Sequence, residues 1–287
     1  MQKIKMALTA TALAAALGVF SAGNALAGEC ALSGELKATL EGSEAADLLR
    51  SGKFAQVEAY LQKRHKKNLS SEGGDLLTAR DIYELLQLSM REENLVRMWA
   101  DERPESFFSQ LTAGYFYADK AGNIGGGRPL SKLNKNQLKN MRDLQDKAVA
   151  YLQKAMQLDP RSALPQGVMI GIACQQGQAA GKDAEQWLQA ANQADPKNLD
   201  ARIAATNFLS PRWCGSFELL DQMVQQASKS LPAKDARYLE FKVVLAKASH
   251  EEVIAKNKPK AHELYKRARS MCENSEGAQD GVVRTYQ

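Results

Sequence analysis

The chain has 287 residues, 44% hydrophobic and 25% charged, with a formal net charge of +5. That composition supports a sizeable core, and so mild a basic excess makes no case for a nucleic-acid partner. Three histidines and four cysteines without a C-x-x-C pair argue against a metal centre or a thiol redox motif, and no cofactor is expected.

Residues 1–27 read as an export signal. Lys3 and Lys5 form a basic start, Ala7 to Phe20 is apolar and uncharged, and Ala25-Leu26-Ala27 is an A-x-A cleavage site. Cleavage after Ala27 leaves Gly28 first. It removes two lysines and no acid, so the charge falls from +5 to +3. The apolar run is too short for a convincing membrane span. Cys30 stands one residue too late for lipid attachment after Leu26-Ala27-Gly28. The expected location is periplasmic or secreted, with no membrane insertion of the mature chain.

Helical periodicity then runs through almost the whole chain. Residues 28–103 form an N-terminal helical region. Leu32–Leu49 ends at Gly52, Phe54–Lys66 follows, an apolar helix surrounds Ile82 to Leu88, and a shorter one carries Leu95, Met98 and Trp99. The basic run Lys63-Arg64-His65-Lys66-Lys67 reads as a solvated helix end. Residues 104–273 form a repeat region. Its first helix, Glu105 to Lys120, holds Phe107, Phe108, Tyr115, Phe116 and Tyr117, and a glycine-rich stretch from Gly122 to Arg128 reads as a long surface loop. Further helices are expected at Lys135–Leu158, Arg161–Gln176, Ala184–Ala194, Leu199–Leu209, Phe217–Ser230, Ala233–Glu252 and Pro259–Glu273. Residues 274–287 read as a frayed tail.

One signature recurs within that region. Ala148, Leu152, Ala155 and Pro160 return 36 residues later as Ala184, Leu188, Ala191 and Pro196, and after another 36 as Leu220, Val224, Ala227 and Pro232. A weaker copy is Ala261, Tyr265 and Ala268, with Glu273 in place of the proline. Positions i, i+4 and i+7 share a helical face, alanines admit a neighbouring helix closely, and the proline ends each element. A fixed period of this length implies an all-α chain of helical hairpins stacked into a solenoid.

All four cysteines follow the cleavage point, so an oxidising compartment permits two disulfides. Cys174 and Cys214 lie in successive repeats and are expected to pair, which leaves Cys30 with Cys272 to tie the ends.

Pro211-Arg212-Trp213-Cys214-Gly215-Ser216 is similar to a Pro-Arg-Trp-Gly-Gly-Ser box found in a group of bacterial TPR-like (tetratricopeptide-repeat-like) proteins whose domain has no assigned function. Trp99, Arg103-Pro104-x-Ser106, the aromatic helix, the Gly-Arg after it and Leu158-Asp159-Pro160 belong to the same resemblance, which spans about residues 95–230. It implies a TPR-like repeat fold and no catalytic residues. Cys214 departs from the glycine of the box.

No catalytic constellation emerges: His250-Glu251-Glu252 lacks a second histidine, and no G-x-S-x-G elbow is present. The expected role is a non-catalytic binding or scaffold protein that recognises a protein or peptide. Tyr115, Tyr117, Arg128, Arg212 and Trp213 are the candidate contacts, because Tyr, Trp and Arg anchor interfaces most often. The alternatives are an immunity or inhibitor protein that neutralises a secreted toxin and, further off, an uncharacterised envelope enzyme.

Overall fold

The computed structural model describes residues 42–89, 92–126, 128, 130–272 and 275–286. The expected signal, its Ala27 cleavage point and Cys30 lie outside these residues. The described residues form thirteen α-helices and no strand. In order they are α1 (Gly42–Arg50), α2 (Phe54–Leu69), α3 (Gly74–Ser89), α4 (Glu93–Glu102) and α5 (Phe107–Gly125), then α6 (Lys135–Leu158), α7 (Leu164–Gln176), α8 (Ala184–Ala194) and α9 (Asp200–Phe208). The last four are α10 (Phe217–Ala227), α11 (Ala233–Val253), α12 (Lys258–Met271) and α13 (Glu276–Thr285).

Several starts follow from local side chains. The amide N–H of Gln137 donates to Asn134 Oδ1 at 2.9 Å, and Gln137 Oε1 accepts from Asn134 N–H, a reciprocal cap that starts α6. Asp183 and Gln186 repeat that cap at α8. Asp159 and Asp195 each accept the N–H two residues on and shape the turns around Pro160 and Pro196.

The helices pair as α5/α6, α7/α8, α9/α10 and α11/α12, and successive odd-numbered helices from α5 to α13 touch one another. The recurring signature lies on the inner face of the even-numbered partners. Ala148, Leu152, Ala155, Ala184, Leu188, Ala191, Leu220, Ala227, Ala261, Tyr265 and Ala268 are all buried. Val224 is half-exposed, and Met223 is buried beside it, since i+3 and i+4 reach nearly the same face. A Cβ on Gly114 of α5 would lie 2.6 Å from Leu152 Cγ, which measures how closely α5 and α6 approach. Ala191→Leu should therefore lower the thermal midpoint, at a cost of about 1–3 kcal/mol, because the added atoms have no space at a fully buried helix contact. An unchanged midpoint by circular dichroism would contradict this packing.

Two local readings change. The glycine-rich stretch is mostly helical, because α5 continues to Gly125 and only then does Gly126, at φ +56°, close it. The tail read as frayed forms α13. Ser275 Oγ caps it by accepting the Ala278 N–H at 3.3 Å, buried Ala278 anchors it, and Arg284 pairs with Glu252 at 3.1 Å. In addition, α3 packs on α1 and α2 and also on α5 and α9. Leu77, Ile82, Tyr83 and Leu86 of α3 thereby share one apolar core with the later helices.

Candidate functional site

Two of the five candidate contacts are core residues. Tyr115 is 1% exposed. Its ring lies 4.9 Å from that of Tyr83 on α3, and its hydroxyl donates to Asp200 Oδ2 at 3.2 Å. Tyr117 is 3% exposed, stacks on Tyr151 at 5.7 Å, and donates its hydroxyl to Glu93 Oε1 at 3.1 Å. Burial first, then the Glu93 charge, pushes its phenol up to about 12. Residues two apart on a helix point to nearly opposite sides, and α5 has neighbours on both: α3 and α7 as well as α4 and α6. The expectation that these tyrosines line an accessible surface is therefore not met.

Arg128 is exposed, but its guanidinium already has partners. Nε donates to the Gly125 carbonyl at 3.1 Å and Nη2 to the Ile124 carbonyl at 3.3 Å. A cation on the last carbonyls of α5 also suits the helix dipole. Its first task is thus to finish α5.

Arg212 and Trp213 present a different geometry. They sit in the turn between α9 and α10, with Arg212 exposed and Trp213 partly so. The Trp213 ring leans on Phe208 at 6.4 Å, and the Arg212 guanidinium lies 5.7 Å from the indole centroid. The turn is held at several points. Trp213 N–H and Gly215 N–H both donate to the Ser210 carbonyl, and Cys214 N–H donates to that of Phe208. Ser216 Oγ accepts the Leu219 N–H at 3.2 Å and so starts α10. Cys174 on α7 is bonded to Cys214 with a Cα separation of 5.5 Å, inside the ordinary disulfide range. The expected pairing is present. Cys272 is also disulfide-bonded, and its expected partner, Cys30, lies outside the described residues.

The departure at Cys214 does not distort the backbone, since among the described residues those other than glycine with positive φ are Ala180 and Lys256. Gly215 carries the steric demand instead. A Cβ there would lie 2.7 Å from Leu209 Cα and 2.5 Å from its carbonyl carbon. Beside this turn, Gln145 of α6 exchanges side-chain hydrogen bonds with Gln175 and Gln176 at the end of α7. A linked edge thus runs from α6 through the end of α7 to the Arg212 turn.

A second cluster, buried, has no counterpart in the sequence reading. Asp75, in the first turn of α3, accepts the N–H groups of Leu199 and Asp200 through Oδ1 at 2.8 and 3.2 Å. Leu199 and Asp200 open α9, whose N-terminus has no cap from its own residues. Asp75 is 5% exposed and Asp200 6%. Burial pushes Asp75 up to about 7, against the lowering effect of those two N–H groups. Burial and the neighbouring Asp75 push Asp200 well above the usual carboxylate range. Nearby, Asp235 at the start of α11 accepts the Gly73 N–H at 3.0 Å. Each of these acids stands in the first turn of a helix or close to it, where an acid is ordinary, and their meeting spans about 125 residues of chain. Sequence spacing carries no sign of it.

Residues 43–181 match a protein family described as Domain of unknown function (DUF4034). The match ends in the turn between α7 and α8, before the Pro211–Ser216 box. No curated protein and no solved structure matches the chain.

Proposed function

We propose that this chain is an exported, non-catalytic binding protein whose TPR-like hairpins stack as a solenoid, and that it holds a partner protein or peptide at the turn bearing Arg212 and Trp213. The alternating helix contacts and the buried 36-residue signature support the repeat reading. The Cys174–Cys214 disulfide supports an oxidising compartment, and no described helix is long and apolar enough to cross a membrane.

The observation that carries the binding reading is the turn itself. An exposed arginine lies beside a partly exposed tryptophan, and both residue types are enriched at the energetic centres of interfaces. Here it is fixed by a disulfide, a helix cap and a glycine that tolerates no side chain. A preformed contact avoids the ordering cost that weakens flexible ones.

Arg212→Ala should weaken partner capture about tenfold or more and shift stability by less than about 0.5 kcal/mol, as expected of an exposed side chain. Pull-down from envelope extract, comparing wild type with the variant, reads the first effect, and thermal denaturation the second. Equal capture by both would remove the turn from the binding surface. Arg128→Ala is the companion. Because it uncaps α5, it should cost about 0.5–1 kcal/mol, and any loss of capture must be judged against that.

A further inference from the structure

The α1–α4 segment meets the later helices along a seam whose polar contacts come from acids. Asp75 joins α3 to the start of α9, and Asp235 joins the Gly73 backbone to the start of α11. Tyr115 of α5 donates to Asp200 from beneath, and α7 meets Asp200 at Gly167, where a Cβ would lie 2.9 Å from Oδ2. Asp75 Oδ1 is fully used by two N–H groups, whereas Asp75 Oδ2 is buried and makes no hydrogen bond. A charge on a carboxylate oxygen enclosed without a donor costs much more than a neutral carboxyl in the same place.

Arg202 of α9 feels the charge of Asp75 but makes no hydrogen bond with either acid. It directs its guanidinium to the carbonyls of Asn198 and Pro196 and to Ser230 Oγ. Lys234 of α11 pairs with Glu72 at 2.5 Å, at the rim. Asp195 in the preceding turn adds a further negative charge facing Asp75, and Tyr83 of α3 lies against Tyr115.

We propose that this seam is a proton-operated latch, in which the Asp75–Asp200 pair clasps α3 to α9 while it holds a proton and slackens that clasp once both carboxyls are ionised. The direction follows from linkage. Asp75 in the closed seam holds its proton to about pH 7, against the ordinary value of 3.8. Opening therefore releases a proton. The seam is firmest at acidic pH and weakens as pH rises from the ordinary 3.8 toward 7, where Asp75 loses its proton; the more strongly raised Asp200 continues the weakening above that. Most proteins with salt-bridged acids behave in the opposite way.

The test is amide hydrogen exchange of the full chain at pH 5.0 and 8.0, each corrected for the intrinsic exchange rate. Peptides covering 74–80 and 199–206 report the seam, and a peptide covering 148–156 of α6 is the internal reference. In wild type the seam should lose about tenfold or more protection relative to the reference between the two pH values. Asp75→Asn with Asp200→Asn should abolish that difference, because neither side chain can then ionise. Each single variant should reduce it, which preserves the comparison if the double variant does not fold. A seam-to-reference ratio unchanged with pH in wild type, equal loss across all peptides, or wild-type pH dependence in the variants would each overturn the latch.

Discussion

Arg64→Met should reduce the free energy of unfolding by about 2–4 kcal/mol in a denaturant titration. Arg64 on α2 forms a two-pronged contact with Asp81 on α3: Nε donates to Oδ2 at 3.0 Å and Nη2 to Oδ1 at 2.7 Å. Asp81 is buried, and without the guanidinium its remaining side-chain donor here is Asn68, whose amide also reaches Thr78. Removing one partner of a fully buried ion pair costs about 3–5 kcal/mol, because the other charge is left behind in low dielectric. The Arg64 side chain is 22% exposed, so the lower range applies. Lys63→Met, on an exposed neighbour, should change stability by less than about 0.5 kcal/mol. Adding Asp81→Leu to Arg64→Met should recover part of the loss, since no stranded carboxylate remains. A loss below about 1 kcal/mol for Arg64→Met alone would mean that the pair is not holding α2 to α3. The reading of residues 63–67 as a wholly solvated helix end thus fails at Arg64 and at His65, whose ring lies edge-on to Phe108 and meets Thr78 Oγ1 at 3.0 Å, and stands for exposed Lys63, Lys66 and Lys67.

Gly215→Ala should cost about 2 kcal/mol or more and should also abolish capture at the Arg212 turn. The added carbon would strike the backbone of Leu209, which cannot rotate aside as a side chain can. The turn must open, and with it the positions of Arg212, Trp213 and Cys214. Comparison with Arg212→Ala separates two effects: one variant removes a contact group from an intact turn, and the other keeps the group and destroys the turn. Wild-type melting behaviour in Gly215→Ala would show that the close approach to Leu209 is not required.

Much of the fold was legible because its information is local. The recurring stripes of α6, α8 and α12 are buried as a 3.6-residue period requires, and the Asn134 and Asp183 caps lie three residues from their partners. The α13 helix was missed because its inward positions, Ala278 and Gly281 among them, are too small to register as an apolar stripe. Their smallness is what lets α13 lie against Tyr265.

The site was legible only in part. Residue type singled out Tyr115 and Tyr117 as readily as Arg212 and Trp213, but type says nothing about how many neighbours a helix has. With α5 enclosed on several sides both tyrosines are interior, whereas the turn between α9 and α10 leaves Arg212 exposed. Arg128 stood between these cases: its exposure was foreseeable, but its contacts with Ile124 and Gly125 depend on where α5 stops.

The sequence by itself determined the helical class, the 36-residue spacing of the stripes on α6, α8 and α10 and several helix starts, and it pointed to the Cys174–Cys214 pairing. Each follows from contacts between residues near in the chain or from repeats whose equivalence the period displays. The tertiary structure alone decided that α3 joins the core of the later helices, that Arg64 faces Asp81, and that Asp75 closes the start of α9. Those contacts bring together groups that are individually unremarkable. Their significance comes from the low dielectric and the shared hydrogen bonds of a seam that exists only when the helices have packed.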